Sequence, residues 1–331
     1  MHRPLAVFLF LSATVAAFAA ADTGLLSLVP SDAKVVSSVN VQQALVSPFG
    51  QYLLTQMNSG PNGFDQLAQE TGFDPRRDLQ SFVFASSGAG ATKHQSPALV
   101  IARGTFQADL IRKHILAHGG TAQSIAGLDV FIFAGNSDQQ SAYCILDTGI
   151  AVFGDLGYVK QAIANRSSPT VLDPSLQSLI SKVSADNDAW FASILGGSYL
   201  SQHMAETTDP HLKPQAQALQ GVRQAAGGVQ LGDPLNFSFD AVTRSPQDAI
   251  SLVDVARFMA SFVQMQRQKD PQLEIIAQAI DGMTLNSSGD NFHASLSIPE
   301  KSMEQLADSR PHHGFKAAPH HDFTPSKPLQ R

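Results

Sequence analysis

What the chain lacks narrows it first. A single cysteine, Cys144, stands among 331 residues, which excludes an intramolecular disulfide framework and any cysteine-rich zinc module. Charge is scarce. Asp, Glu, Lys and Arg make up 15% of the chain, against about 25% in an ordinary globular protein. The formal net charge is −6, so the basic footprint of a nucleic-acid binder is missing. Past the N-terminus there is no second long apolar run. The most apolar helical stretch, 250–265, is interrupted by Asp254, Arg257 and Gln264, so no membrane span is expected there.

The two ends read differently from the body. His2-Arg3 is followed by the apolar run LAVFLFLSATVAAFA over 5–19, and both 17–19 and 19–21 satisfy the A-x-A cleavage pattern. This predicts a signal peptide over 1–21, cleaved after Ala19 or Ala21, and a periplasmic or secreted product. At the other end, residues 309–331 carry Pro311, Pro319, Pro325 and Pro328 with few apolar side chains. Such a tail cannot offset its ordering entropy and is expected to be disordered. Its paired imidazoles, His312-His313 and His320-His321, are candidates for weak metal capture.

Between the ends, the pattern is α+β. Alternating runs predict strands at 34–41, 81–87, 98–104, 121–125, 128–134, 141–147 and 150–154. Helical spacing covers 42–58, 63–71, 105–118 and 155–165. The second half follows a similar order. A strand at 188–195 precedes a helix at about 213–224 and a hairpin, 228–232 and 235–244. A long helix over 246–268 comes next, with Ile250, Val253, Ala256, Met259 and Val263 inward, then a helix at 271–280 and strands at 283–288 and 291–298. This predicts two similar units, 22–170 and 171–308, of largely antiparallel sheet with helices packed on one face. Cys144, on an alternating strand, reads as a small core residue.

The stretches VPSDAKVVSSVNV, FDPRRDL, ALVIARGTFQADLIRKHILAHGG with IAGLDVFIF, and AVFGDLGYVKQAIANR resemble a loosely defined, uncharacterised group of exported bacterial proteins. That group pairs tandem α+β units behind a signal peptide. The resemblance implies export and fold; it implies no activity and no site residues.

Catalytic signatures fail one by one. Asp147-Thr148-Gly149 after Cys-Ile-Leu resembles the aspartic protease triplet, but that chemistry needs two carboxylates sharing a proton, and no second such triplet exists. The bland reading is a tight turn between strands. Gly88-Ala89-Gly90, with Lys93 nearby, lacks the third glycine of a dinucleotide loop and leads into a strand. Ser31 and Lys34 match S-x-x-K, but Lys34 opens a strand rather than completing a helical turn. His114 and His118 share a helix face without the glutamate of H-E-x-x-H. Asn165, Asn236 and Asn286 head sequons that matter only in a glycosylating host. The expectation is an exported non-catalytic module, binding or scaffolding, that engages a protein or envelope component and uses no cofactor. The alternatives are a periplasmic hydrolase using Asp147 and metal capture by the tail. Expressed in a bacterium with an export system, the protein should appear in the periplasmic or extracellular fraction with Ala20 or Asp22 as its first residue; a product retaining Met1 in the cytosol would refute the leader.

Overall fold

The computed structural model describes residues 21–58, 63–88, 96–133, 140–197, 219–267 and 271–308. Twelve strands are present among them: β1 Val35–Asn40, β2 Leu79–Ser86, β3 Ala98–Gly104, β4 Thr121–Ile125, β5 Leu128–Phe133, β6 Ser141–Asp147, β7 Ile150–Asp155, β8 Ala189–Ser193, β9 Val222–Gln230, β10 Leu235–Thr243, β11 Thr284–Ser288 and β12 Asn291–Ile298. The helices are α1 Thr23–Leu26, α2 Val41–Val46, α3 Pro48–Asn58, α4 Gly63–Thr71, α5 Pro75–Asp78, α6 Ala108–Ala117, α7 Leu156–Asn165, α8 Pro174–Val183, α9 Pro246–Gln266, α10 Pro271–Asp281 and α11 Glu300–Asp308.

All twelve strands join one antiparallel sheet in the order β11-β12-β10-β9-β8-β1-β2-β3-β7-β6-β5-β4. The α+β class and the antiparallel pairing are those expected. The first strands of the two halves pair with each other, Val35 opposite Ser193, Ser37 opposite Phe191 and Val39 opposite Ala189. Outward from this seam the order is β1-β2-β3-β7-β6-β5-β4 on one side and β8-β9-β10-β12-β11 on the other.

Strand alternation sends successive side chains to opposite faces. Val36, Val83, Ala85, Leu99, Ile101, Val130, Cys144, Val152 and Ala192 point to one face, where α1, α7 and α8 close the main core. Helices pack on this face, and the other face is covered as well. Helix α6 sets Ile111 and Ile115 against Phe131, and α9 sets Leu252 and Val253 against Ala225, Ala241 and Phe292. The central strands are apolar on both sides, which demands two helix layers. Cys144 is fully buried in the main core, as its strand pattern suggested.

Helix starts follow local chemistry. Asp155 and Asp173 accept hydrogen bonds from the N–H groups of Gly157 and Ser175, and Pro174 and Pro246 occupy first-turn positions where no N–H is needed. Two expectations shift. Residues 222–224, read as helical, open strand β9. There Ala225, Ala226, Gly227 and Gly228 are weak strand formers held in place by close neighbours. A Cβ on Gly227 would lie 2.7 Å from the Ser238 carbonyl oxygen, and one on Gly228 would lie 2.4 Å from Asn187 Cγ. The inward face of α9 is Ala249, Leu252 and Val253, while Ile250 and Met259 are exposed. That helix is apolar around most of its circumference, so its phase could not be read from spacing.

Gly154 sits at φ +157°, and a Cβ there would lie 2.2 Å from the Ala98 carbonyl oxygen of the neighbouring strand. Gly289, at φ +59°, has open space around it. Gly154→Ala should therefore cost about 2–4 kcal/mol in urea unfolding, and Gly289→Ala only about 1 kcal/mol. The reverse ranking would contradict the packing described for β7.

Candidate functional site

The residues singled out from sequence do not converge. Asp147 ends β6 in an exposed turn, and its Oδ1 accepts the Gly149 N–H at 2.8 Å. This is hairpin geometry. His114 and His118 do lie together on α6, with ring centroids 4.2 Å apart. His114 Nδ1 faces Glu70 at 3.4 Å, and His118 Nδ1 lies 2.8 Å from the His114 carbonyl oxygen. Among the described residues no group of three or more His, Cys, Asp or Glu side chains could hold a metal ion. Lys34 precedes β1 and its Nζ lies 3.8 Å from Asp173. The Asn165 amide donates to the Leu28 and Val29 carbonyls, a structural role. Burial pushes the Cys144 thiol up to about 11, so it is a poor nucleophile. Ala89, Gly90, Lys93, His312, His313, His320 and His321 lie outside the described residues, as do residues 1–20 of the signal peptide expected over 1–21.

Two hollows, one on each face of the sheet, are better candidates. The first is an apolar cavity of about 440 Å³ between the sheet and helices α4 and α6. Its floor is built from β2, β3, β7 and β6. Ala102 pairs directly with Ala151 across the β3–β7 ladder, and these two small side chains leave a depression between Phe82 on one side and Tyr143 on the other. Leu67 and Thr71 of α4 and Ile111, His114 and Ile115 of α6 form the roof. Phe73 and Phe106 stack at 5.2 Å and close one end. The segment FDPRRDL holds that roof in place. Asp74 caps α5, and Arg76 reaches both Asp74 at 2.8 Å and Asp65 of α4 at 2.6 Å. Three polar groups line the cavity: the Thr71 hydroxyl, the His114 imidazole and the Tyr143 phenol. Burial, then the neighbouring Cys144, pushes the Tyr143 phenol above its ordinary range. The phenol therefore stays a neutral hydrogen-bond donor.

The second hollow is a polar pocket of about 310 Å³ on the opposite face, at the seam between the two halves. Here the apolar alternation of the main core gives way to a polar rung. Asn40 pairs with Ser81, and Ser81 with Arg103, on three adjacent strands. Asp188, just before β8, accepts the Asn40 N–H on its carbonyl at 2.8 Å. One rung inward, Ser38 pairs with Trp190 across the seam. Above the rung, Asp22 caps α1 by accepting the Leu25 N–H at 3.1 Å. The same carboxylate takes both Arg103 Nε and Arg103 Nη2, the latter at 3.0 Å. Ala21, Gln42, Gln80 and Asn187 complete the lining. Sequence reasoning missed this pocket. Its members are scattered from Ala21 to Trp190 along the chain, and only the β1–β8 pairing brings them together.

Fold and geometry thus define an α+β protein with one antiparallel sheet covered by helices on both faces, carrying among its hollows an apolar one and a polar one on opposite faces. The chain matches no protein-family model and no curated protein. It is similar to two solved structures of TP0453, a Treponema protein. Crystal form III of that protein aligns with TM-score 0.49 and 9% identity, covering 86% of this chain and 97% of that one. Crystal form I gives TM-score 0.44 and 8% identity over the same shares. At this level the likeness transfers neither ligand nor role.

The Asp22–Arg103 pair makes a pH prediction. Burial alone would raise the Asp22 carboxyl, but the Arg103 hydrogen bond and the Leu25 N–H together hold it below its ordinary value. A carboxyl depressed in the folded state contributes stability above its unfolded value, about 3.9, and loses it as pH falls through the folded value. Asp22→Asn preserves the helix cap and removes the charge. It should cost about 1 kcal/mol near neutral pH, with the difference from wild type fading below about pH 4. A penalty that stays constant into acid would show that the pair contributes no charge term.

Proposed function

We propose that this chain is an exported, non-catalytic binding module whose ligand is an apolar molecule with one polar end, held in the cavity beneath α4 and α6. The observation that carries this reading is the cavity itself: about 440 Å³ of space walled by aliphatic and aromatic side chains, with its few polar groups on the roof and one side of the floor. Ligand sites of small molecules have this character and this size range. At about 30 Å³ per water-sized group, the space suits a chain of roughly a dozen methylenes. The neutral Tyr143 phenol and the His114 imidazole can donate hydrogen bonds to the polar end. Glu70, on the far side of His114, disfavours a strongly anionic head. For a protein sent beyond the inner membrane, an envelope amphiphile is the fitting ligand class. Among the described residues no helix is long and apolar enough to cross a membrane.

Binding of straight-chain alcohols from butyl to hexadecyl, measured by displacement of an environment-sensitive apolar dye, tests the reading. Each added methylene should tighten binding about fourfold until the cavity is full, after which affinity levels off. Ala102→Phe, which fills the floor, should abolish binding while circular dichroism and melting temperature stay close to wild type. A flat chain-length series, or dye displacement indifferent to Ala102→Phe, would overturn the proposal.

A further inference from the structure

The polar pocket on the other face is independent of the apolar cavity. Five of its side chains, Ser38, Gln42, Gln80, Ser81 and Trp190, line it and make no side-chain hydrogen bond to any described residue. Two of them are deeply placed: Ser38 is 8% exposed and Trp190 is 6% exposed. None of the five carries a polar side-chain atom that is both sealed from solvent and unpartnered; Gln42 is exposed and Gln80 and Ser81 are half-buried. Their polar atoms are open to the pocket, and together they form a hydrogen-bonding surface accessible to a ligand.

The chemistry of the lining selects the ligand. Ser38 and Ser81 each offer a hydroxyl, donor and acceptor; Gln42 and Gln80 each offer an amide with both; Trp190 offers a donor. Such a set matches a molecule carrying several hydroxyls. An anion is disfavoured, because the one cationic side chain in the lining, Arg103, is already engaged by Asp22, and Asp188 adds a second carboxylate; cleavage at the expected site would add an α-amino group beside Asp22, and the phosphate control tests its effect. Against a cation, Asp22 is engaged by Arg103 and the Leu25 N–H, and Asp188 Oδ2 accepts the Leu231 N–H at 2.7 Å; the cationic control below tests the remaining Asp188 oxygen. An apolar molecule would strand every one of these polar groups. The volume of about 310 Å³ corresponds to about ten water-sized groups, the scale of one sugar ring.

We propose that the seam pocket binds a neutral polyhydroxylated ligand of about the size of a single sugar ring, with Ser38, Ser81, Gln80 and Trp190 as its hydrogen-bonding partners. The pocket straddles the two halves of the sheet, with Ser38, Gln80, Ser81 and Arg103 from one and Asn187, Asp188 and Trp190 from the other. Its occupancy would therefore tie β1 to β8 more firmly. Ligand binding and the thermal stability of the whole sheet are linked for that reason.

Trp190 is the only tryptophan in the chain, so tryptophan emission reports on the seam; because Trp190 and Ser38 also border a neighbouring hollow, the Gln80→Ala variant, which touches only the polar pocket, assigns the signal. The full chain as exported is titrated with glucose, galactose, N-acetylglucosamine and glycerol, with inorganic phosphate and tetramethylammonium as charged controls. At least one of the neutral compounds should shift the emission saturably and raise the melting temperature, while the charged controls do neither. Ser38→Val, which puts two methyl groups in place of the hydroxyl, should weaken that binding about tenfold or more. Gln80→Ala, nearer the rim, provides the same test should Ser38→Val fold poorly. Ala102→Phe, on the other face, should leave sugar binding unchanged. The proposal is overturned if no neutral compound shifts the emission, if phosphate or tetramethylammonium does so instead, or if a folded Ser38→Val or Gln80→Ala variant binds as wild type does.

Discussion

The pairing of β1 with β8 is the contact on which the rest of the architecture depends. Each half supplies its first strand to a common ladder, so strands that would be exposed edges become the centre of a twelve-stranded sheet. An unpaired strand in the middle of such a fold would leave rows of backbone donors and acceptors without partners. Joining them removes those two edges and places the strands with apolar residues on both faces where two helix layers can cover them. The outer edges of the sheet, β4 and β11, carry Thr, Ser, Asn and Gln and tolerate water.

The same seam explains why the two hollows differ so much in character. The apolar cavity belongs to the first half alone. It exists because two alanines meet on adjacent strands under a roof that α4 and α6 hold away from the floor, and the Arg76 contacts with Asp65 and Asp74 keep that roof from collapsing. The polar pocket exists because strand ends from both halves arrive side by side. Their terminal residues are the polar ones that strands carry where they leave the core. One hollow is a packing gap; the other is a convergence of chain ends.

Much of the secondary structure was legible in the sequence. Strands β3, β4 and β6 and helix α4 occupy the residues that alternation and helical spacing predict, and Cys144 is the core residue its neighbours suggested. Other parts were not. Helix α8 carries Leu176, Ile180 and Val183 at helical spacing behind an Asp-Pro start, a signal that was present and passed over. The start of β9 was hidden because its small residues answer to the close approach of Asn187 and Ser238, not to strand propensity. The phase of α9 was hidden because a helix apolar on most sides offers no single stripe to read.

What the sequence determined by itself is local: where alternation marks a strand, where an aspartate or serine begins a helix, and which signature motifs of catalysis are incomplete. Those rules act over a few residues, so they survive without knowledge of the fold. Only the tertiary structure decided that the two halves share one sheet, that helices cover both of its faces, and that Ser38, Ser81, Arg103 and Trp190 stand around one pocket. Strand partners are chosen by long-range pairing and burial, and neither quantity is written in the neighbourhood of any one residue.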